Sequence, residues 1–288
     1  MSKIAFVTDS TCNMPEEMIR ENGITVVPIY VLFGEESYKE YEEMPPGEFY
    51  RRLGEYRASG KGMPTSSQPT PEDFRAAYSL LAGQGYTDII SIHVTAKSSG
   101  TCQSAELASE MLDEPVNVHV VDSETTSMQM GFMLLAAIQA VKSGGGVDEA
   151  LAAIDRVKAH SGLYFTVTDL EHLSASGRTE GHEKATEAVV SVKPVVAVLG
   201  GVPKAVGTER TQRSALQKVL DLAKERVGTG QVKNLAIVNG NIEDKAENWA
   251  PGAASALGFS GDPYVVDFGP ALAVHFGPGL LGVAFEWE

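Results

Sequence analysis

The sequence lacks the features that define several large classes of protein. Only two of its 288 residues are cysteine, Cys12 and Cys102, and they do not form the CxxC pair of a zinc or redox site. This scarcity excludes a disulfide-stapled scaffold and is typical of a reducing cytoplasm. Basic charge is also scarce, because 23 Lys and Arg face 38 Asp and Glu, a net charge of −15. Such an acidic surface repels phosphate backbones, so binding of nucleic acid through a basic face is not expected.

Long apolar runs are missing as well. The most apolar helical stretch, residues 131–141, is about half of the ~20 residues that a membrane span needs. The first residues form no extended apolar segment of the kind found in a secretory signal. We therefore expect no integral membrane segment and a cytoplasmic location. Apolar residues make up 43% of the chain and charged residues 21%, a balance that is typical of an ordered globular protein.

The common catalytic and nucleotide-binding motifs are absent too. The sequence contains no P-loop, no GxSxG nucleophile elbow and no HExxH metal motif. Gly277, Gly279 and Gly282 have the spacing of a dinucleotide-binding loop, but no βαβ unit follows them. No local sequence motif therefore supports a kinase, dehydrogenase, hydrolase or metalloprotease function, and we expect no cofactor.

The first half of the chain alternates strand and helix signals. Residues 4–8 form a short apolar run typical of a buried strand, and residues 24–33 and 86–94 have a similar character. The pattern over 71–81 predicts a helix, because Thr70 is a good N-cap, Pro71 suits the first turn and Asp73 completes a capping box. This βαβα rhythm predicts a parallel sheet covered by helices.

The second half mixes hairpins with helices. Strands are predicted over 162–168 and 189–199, and Gly200-Gly201 joins the latter to residues 202–206 as a tight hairpin. A helix is predicted over 243–257, with a break at Pro251. The expected fold class is α/β with two domains: an N-terminal parallel sheet with flanking helices over 1–160, and a smaller α+β domain over 161–288.

Three segments carry side chains suited to ligand binding. Hydroxyl groups crowd residues 65–69, just before the capped helix, and residues 98–101, between a strand end and a helix start. His275 is followed by a Gly-Pro-Gly turn. In parallel sheets, ligands bind at the carboxyl ends of strands, where helix N-termini offer free N–H groups to an anion. Two simpler interpretations stay open: Ser99 caps its helix, and His275 is a packed core histidine.

Three arginines add positive charge to the candidate residues. Arg178 lies in a polar stretch, where a solvated loop residue is the ordinary interpretation. Arg210 and Arg213 lie at a predicted helix start, where a cation opposes the helix dipole. That mismatch favours another role for the pair, such as contact with an acidic partner or ligand.

Several segments together resemble the DegV family, the fatty acid-binding subunits of bacterial fatty acid kinase. The similarity runs from end to end, and it includes a T-S-Q-P-like and an L-S-G-T-Y-Q-S-A-like motif. The matching segments are Val7-Thr8-Asp9-Ser10-Thr11, Ser66-Ser67-Gln68-Pro69, Ser98-Ser99-Gly100-Thr101-Cys102-Gln103-Ser104-Ala105, Val121-Asp122-Ser123 with Ser127 and Gly131, Gly177-Arg178, Lys193-Pro194 and His275-Phe276-Gly277-Pro278-Gly279.

The resemblance implies a two-domain EDD-type fold with a long-chain fatty acid at the domain interface. Ser66, Ser99 and His275 match the positions that hold the carboxylate, and Arg178 matches an arginine of the same polar cluster. A separate ATP-dependent kinase subunit would then phosphorylate the presented acid in phospholipid metabolism. The chain itself would be a carrier without catalytic activity.

The sequence departs from the family pattern at two places. Ser66 stands where the family usually has threonine, and Thr65 precedes it, so either hydroxyl is a candidate to face the ligand. Residues 95–98 replace a more usual S-S-x-L. That change puts Lys97 beside the site, where its ammonium either attracts an anion or points to solvent.

Two other functions remain as alternatives. One is a small-molecule hydrolase with Ser99 as nucleophile, His275 as base, and Asp9 or Asp122 orienting the histidine. The other is a binding module for a different anionic metabolite. Acyl chain length, saturation and oligomeric state are not predicted, although a monomer is the default. Arg210 and Arg213 are the candidates for a kinase-docking surface.

Overall fold

The fold was analysed in a computed structural model that describes residues 3–168, 170–178, 180 and 192–288. The strands are β1 (Ile4–Asp9), β2 (Ile24–Val27), β3 (Tyr30–Phe33), β4 (Glu36–Lys39), β5 (Thr65–Ser67), β6 (Asp88–His93), β7 (Asn117–Asp122), β8 (Ser161–Thr166), β9 (Lys193–Leu199), β10 (Val202–Glu209), β11 (Val232–Asn239), β12 (Tyr264–Asp267) and β13 (Leu281–Trp287). The helices are α1 (Glu16–Asn22), α2 (Pro46–Ala58), α3 (Pro71–Gly83), α4 (Thr101–Glu110), α5 (Ser127–Lys142), α6 (Val147–Ala159), α7 (Leu170–Ser176), α8 (Gln212–Val227), α9 (Glu243–Ala256) and α10 (Gly269–Phe276).

A four-stranded parallel sheet organises the first half of the chain. Its strand order is β2-β1-β6-β7. All six residues of β6 are buried, because helices cover both faces of the sheet and leave no side for an alternating polar pattern. Phe74 and Tyr78 of α3 and Ala105 of α4 pack on one face, and α5 and α6 pack on the other.

A six-stranded mixed sheet organises the second half, in the order β10-β9-β8-β13-β11-β12. Neighbouring strands are antiparallel except for β11 and β12. Helices α8 and α9 cover one face, and the other face packs against the same α5 and α6 that cover the parallel sheet. Because α5 lies between two sheets, its buried residues surround the helix axis instead of forming one stripe.

A small three-stranded sheet, β4-β3-β5, extends from the parallel sheet. Together with α2 it packs against α10, and the shared core includes Val31, Phe49 and Val274. This packing brings β5 beside α10, although the two elements are about two hundred residues apart in the sequence. The arrangement matters because both elements carry candidate ligand-binding residues.

The α/β fold with two domains is confirmed, and most predicted elements are present within a few residues. The helix that follows Thr70 has the expected capping box, and β9 and β10 form the expected hairpin. Residues 24–33 are β-structure as predicted, but they divide into β2 and β3 in different sheets, because Pro28 lacks the N–H that a continuing ladder needs. One prediction is wrong. Helix α9 continues through Pro251, which is exposed, so water can satisfy the carbonyl that the proline leaves unpaired.

One predicted strand lies partly outside the described residues, and the predicted domain boundary stays a prediction. Residues 189–191 of the predicted strand over 189–199 are not described. The six-stranded sheet begins at Ser161, next to the predicted boundary between 160 and 161, which stays a prediction. Among the helices that the structure describes, none has both the length and the apolar character that crossing a membrane requires.

Candidate ligand-binding site

Ser66 and His275 meet where β5 packs on α10. Residue 66 pairs with Val31 in the small sheet, and His275 occupies the last turn of α10, which ends at Gly277. The Ser66 Oγ lies 2.8 Å from Nε2 of His275. The histidine is buried among apolar residues of its own helix. The packing of α2 and the small sheet on α10 therefore creates this contact.

Arg178, just after α7, joins the same pair. Its Nη1 lies 3.4 Å from Ser66 Oγ and also contacts Nε2 of His275. A guanidinium only donates hydrogen bonds, so Nε2 accepts and the proton of the neutral ring lies on Nδ1. Burial lowers the pKa of His275 to about 3, and the nearby Arg178 and His172 act in the same direction. Burial also lowers the pKa of Arg178.

The lowered pKa of His275 predicts a pH-dependent stability. The unfolded ring takes up a proton near its ordinary pKa of 6.5, whereas the folded ring stays neutral down to about 3. The unfolded state therefore binds more protons in this window, and stability falls as the pH falls through it. Between pH 7 and pH 5, we expect the free energy of unfolding of the wild-type protein to fall by about 2 kcal/mol more than that of His275→Gln. Urea unfolding at both pH values measures this.

Glu40 acts in the opposite direction, because its pKa is raised to about 7. The effect of Glu40 on stability is the same in the wild type and in His275→Gln, so it cancels when the losses of unfolding free energy of the two proteins are subtracted. Equal losses in the wild type and in His275→Gln would show that the ring is not held neutral in the folded state.

The three side chains line a cleft of about 650 Å³ that is partly open to solvent. None of the described residues of the lining is acidic, although the chain carries a net charge of −15. The apolar part of the lining includes Ile29, Val94, Val198, Leu272 and Phe276. The cleft therefore offers donors and one positive charge beside an apolar surface, a combination that suits an amphiphilic anion.

Most hydroxyl groups of the lining already donate to protein acceptors. These committed hydroxyls belong to Thr11, Ser67, Thr95, Thr125 and Thr126. Among the described lining residues, Ser98 and Ser99 remain as uncommitted hydroxyl donors, whereas Ser66 donates to Nε2 of His275 and would have to turn from it to donate to a ligand. The Ser99 Oγ lies 2.8 Å from the buried Thr101 Oγ1 and accepts from the Thr101 N–H. When Thr101 donates in that pair, the proton of Ser99 is available to the cleft.

The structure separates Thr65 from Ser66. Thr65 is exposed and is not part of the cleft lining, whereas Ser66 is half-buried and lines the cleft. Of these two neighbouring hydroxyls in β5, only that of Ser66 belongs to a residue of the cleft lining. Ser99, Arg178 and His275 line the same cleft as Ser66. Four of the five residues suggested by sequence therefore come together, and Thr65 does not.

The catalytic arrangement of the hydrolase alternative is not assembled. Ser99 pairs with Thr101, and the serine that contacts His275 is Ser66. Asp9 accepts from the Val94 N–H, Thr11 and buried His93. Asp122 accepts from the N–H groups of residues 96 and 124. Within the described part of the chain, no carboxylate orients His275, and a ring with a pKa of about 3 is a weak base.

The remaining candidate cations lie away from the cleft lining. The ammonium of Lys97 donates to the Gly200 carbonyl at 2.6 Å, in the turn of the β9–β10 hairpin. Arg210 and Arg213 are exposed around the start of α8. Their role as a docking surface stays a prediction.

Sequence reasoning missed Ser98 and Gln68 as members of the lining. Both residues belong to the two hydroxyl-rich segments, but nothing in the sequence shows that their own side chains face a ligand. The Gln68 amide packs against Gly100, where an added Cβ would lie 2.7 Å from its Nε2. Glycine at position 100 thus lets the loop before α3 approach the loop before α4.

A second, larger cavity does not suit the same ligand. It has a volume of about 1270 Å³, is partly open to solvent, and is lined by Glu16, Glu40, Glu42 and Asp267 together with apolar residues. Acidic groups oppose the entry of another anion, so volume alone does not identify the site. No group of three or more His, Cys, Asp or Glu side chains in the described ranges could hold a metal ion.

Known protein families and relatives match this chain over its whole length. The family model described as "Uncharacterised protein, DegV family" matches residues 3–288. A DegV domain-containing protein of Listeria innocua is 31% identical over 285 residues, which cover 99% of this chain and 98% of that one.

Solved structures of DegV family proteins also match this chain over its whole length. A DegV family protein from Thermus thermophilus, described as binding fatty acid, has a TM-score of 0.88 and 29% identity over 99% of this chain and 100% of its own. DegV of Bacillus subtilis, described as a fatty acid binding protein, has a TM-score of 0.87 and 28% identity with full coverage of both chains. The chain therefore belongs to the DegV family.

Proposed function

We propose that this protein binds a long-chain fatty acid in the cleft, with the carboxylate among Ser66, Ser99, His275 and Arg178. The observation that carries the proposal is the contact of Ser66, His275 and Arg178 in a cleft whose described lining residues include no acidic side chain. The fatty acid binding described for the Thermus thermophilus and Bacillus subtilis proteins supports the same ligand class.

The two parts of the ligand would have different energetic roles. A tail of ~16 carbons gains about 0.8 kcal/mol for each buried methylene, an upper limit of roughly 12 kcal/mol before ordering costs. The carboxylate gains little from leaving water, and a buried carboxylate without partners costs several kcal/mol. The tail therefore supplies most of the affinity, and the polar cluster fixes the position of the head.

The proposal extends to a separate kinase subunit that phosphorylates the bound acid in the cytoplasm. The chain has no nucleotide-binding motif, and the proposal therefore assigns the phosphoryl donor to another protein. Hydroxyls of Ser66, Ser98 and Ser99 are neutral donors, and they leave the carboxylate more nucleophilic than several salt bridges would. The protein would act as a carrier that presents one oxygen of the acid, with no catalysis of its own.

Mass spectrometry of lipid extracted from the denatured protein tests the ligand. After expression in medium that contains palmitate and oleate, we expect close to one fatty acid per chain. Ser99→Ala should retain less, because the head group loses a donor. A wild-type protein without fatty acid, or with a phosphorylated metabolite instead, would contradict the proposal.

Activity assays separate the carrier from the hydrolase alternative. The purified protein should not hydrolyse p-nitrophenyl esters above the rate of Ser99→Ala. With a kinase subunit and ATP, the loaded protein should yield acyl phosphate, and Ser99→Ala should yield less. Ester hydrolysis that disappears in Ser99→Ala would favour the enzyme.

A further inference from the structure

Glu40 is a buried carboxyl group outside the cleft, and it ties together three segments that form the cleft. It follows β4 and is 1% exposed. Its Oε1 accepts from the Ala271 N–H at 2.8 Å, and its Oε2 contacts the hydroxyl of Ser10. The Ser10 Oγ in turn accepts from the Ile29 N–H at 2.9 Å. One side chain therefore joins the end of β1, the segment before β3 and the first turn of α10.

Each of these three segments contributes to the cleft lining. Thr11 follows Ser10 directly, and Ile29 and Ala271 line the cleft themselves, whereas Glu40 does not. Its position at the start of α10 also suits a carboxyl group, because the first turn of a helix has unpaired N–H groups and a partial positive charge. Glu40 thus acts on the cleft only through the residues that it holds.

The packing around Glu40 leaves its carboxyl group little freedom. A Cβ added to Gly269 would lie 2.7 Å from Oε1 of Glu40, 2.7 Å from the Tyr41 hydroxyl and 2.8 Å from Nδ2 of Asn13. Gly269 also has a φ of +70°, which favours glycine. The backbone of α10 consequently lies directly against the carboxyl group at the point where the helix begins.

His275 lies one turn along α10 from the residue that Glu40 holds. Positions four apart lie on the same side of a helix, about 6 Å along its axis. A tilt of α10 at Ala271 therefore moves Nε2 of His275 relative to Ser66, which belongs to a different element. The 2.8 Å contact between Ser66 and His275 depends on the anchoring of the first turn.

We propose that Glu40 is a positioning residue for the head-group site, because it anchors the first turn of α10 and thereby holds His275 in contact with Ser66 and Arg178, the donors to the ligand carboxylate. This inference rests on the proposed function. It assigns to Glu40 no contact with the ligand and no part in the chemistry.

Glutamine is the conservative replacement at this position. Burial raises the pKa of Glu40 to about 7, with contributions of the same sign from Asp9 and Asp267, while the bonds from Ser10 and Ala271 act in the opposite direction. A neutral side chain of this shape is therefore compatible with the pocket. In Glu40→Gln the amide oxygen would still accept from the Ala271 N–H, and the amide nitrogen would donate to Ser10. Methionine has a similar length but accepts no such bond.

The test compares palmitate with hexadecanol, which share a chain length but differ in the charged head. In titrations of delipidated protein, Glu40→Met should bind palmitate about tenfold more weakly, since His275 no longer orients Ser66 and Arg178 towards the ionised head. Its affinity for hexadecanol should change by less than about threefold, because the tail site is intact. Glu40→Gln should resemble the wild type with both ligands. A general loss of structure would weaken both ligands together.

Glu286→Met is the matched control. Glu286 is a buried carboxylate of β13 that bonds to Asn234 and Arg156, and its replacement should leave the ratio of the two affinities unchanged. If Glu40→Met does not fold, Glu40→Asp takes its place, because its shorter side chain cannot reach Ser10 and Ala271 together. An unchanged affinity ratio in the folded variant would overturn the inference. Failure of the wild type to bind palmitate would instead overturn the proposed function.

Discussion

Ser66→Ala is expected to weaken the binding of a long-chain fatty acid about tenfold to a hundredfold. A hydrogen bond to a charged group contributes about 1.5–3 kcal/mol, and the alanine leaves the carboxylate without that donor. The affinity for the alcohol of the same chain length should change much less. Isothermal titration of delipidated protein with both ligands measures the difference.

Thr65→Ala is the matched control for this substitution. Thr65 precedes Ser66 in β5 and loses the same hydroxyl, but it is exposed and is not part of the cleft lining. Its replacement should leave both affinities unchanged. If Thr65→Ala instead weakened the binding of the acid and Ser66→Ala did not, the carboxylate site would have to be assigned to the opposite face of β5.

The largest effect on stability is expected for Gly282→Ala in the middle of the six-stranded sheet. Gly282 pairs with Phe165 on one side and with Val238 on the other. An added Cβ would lie 2.2 Å from the Tyr164 carbonyl oxygen and 2.4 Å from Cα of Phe165. These are backbone atoms of a buried strand, so the sheet itself must deform. We expect a loss of at least ~3 kcal/mol, the upper range for overpacking, measured by urea unfolding.

Gly207→Ala is the comparison for Gly282→Ala. Gly207 also lies in a strand of this sheet, but its added Cβ would meet only side-chain atoms at 3.8 Å and beyond. This substitution should change the free energy of unfolding by less than about 1 kcal/mol, because alanine also restricts the unfolded chain. Similar losses in the two variants would mean that strand flexibility, and not the close approach at Gly282, controls stability.

Sequence alone predicted the elements whose signals are local. The helix after Thr70 was found because its cap, its proline and its capping-box aspartate are neighbours in the chain. The β9–β10 hairpin was found because Gly200 and Gly201 stand between two apolar runs. Helix α10 gave no such signal. It is short and buried on all sides, so it has no polar face to mark a helical period.

The site was less accessible to sequence reasoning than the fold. Ser66 and His275 are separated by 209 positions, and no spacing rule connects them. The residue patterns singled out both segments and the family resemblance connected them, but it stayed open whether Thr65 or Ser66 faces inward, because the three residues of β5 are too few to display alternation. Glu40 was not considered, since a glutamate among exposed charged residues looks like any other until its hydrogen bonds to Ser10 and Ala271 are visible.

The helical layer of α5 and α6 has a consequence for how the two halves of the chain depend on each other. Phe132, Met133 and Leu134 of α5 share one core with Phe165 of β8 and Ala284 of β13. This helical layer packs against the sheets of both halves, so neither half can be transplanted into another protein without a substitute for the layer. Genetic exchange of one half within the family is therefore constrained by the match between helix and sheet in this shared core, which also includes Leu272 and Phe276 of the cleft lining.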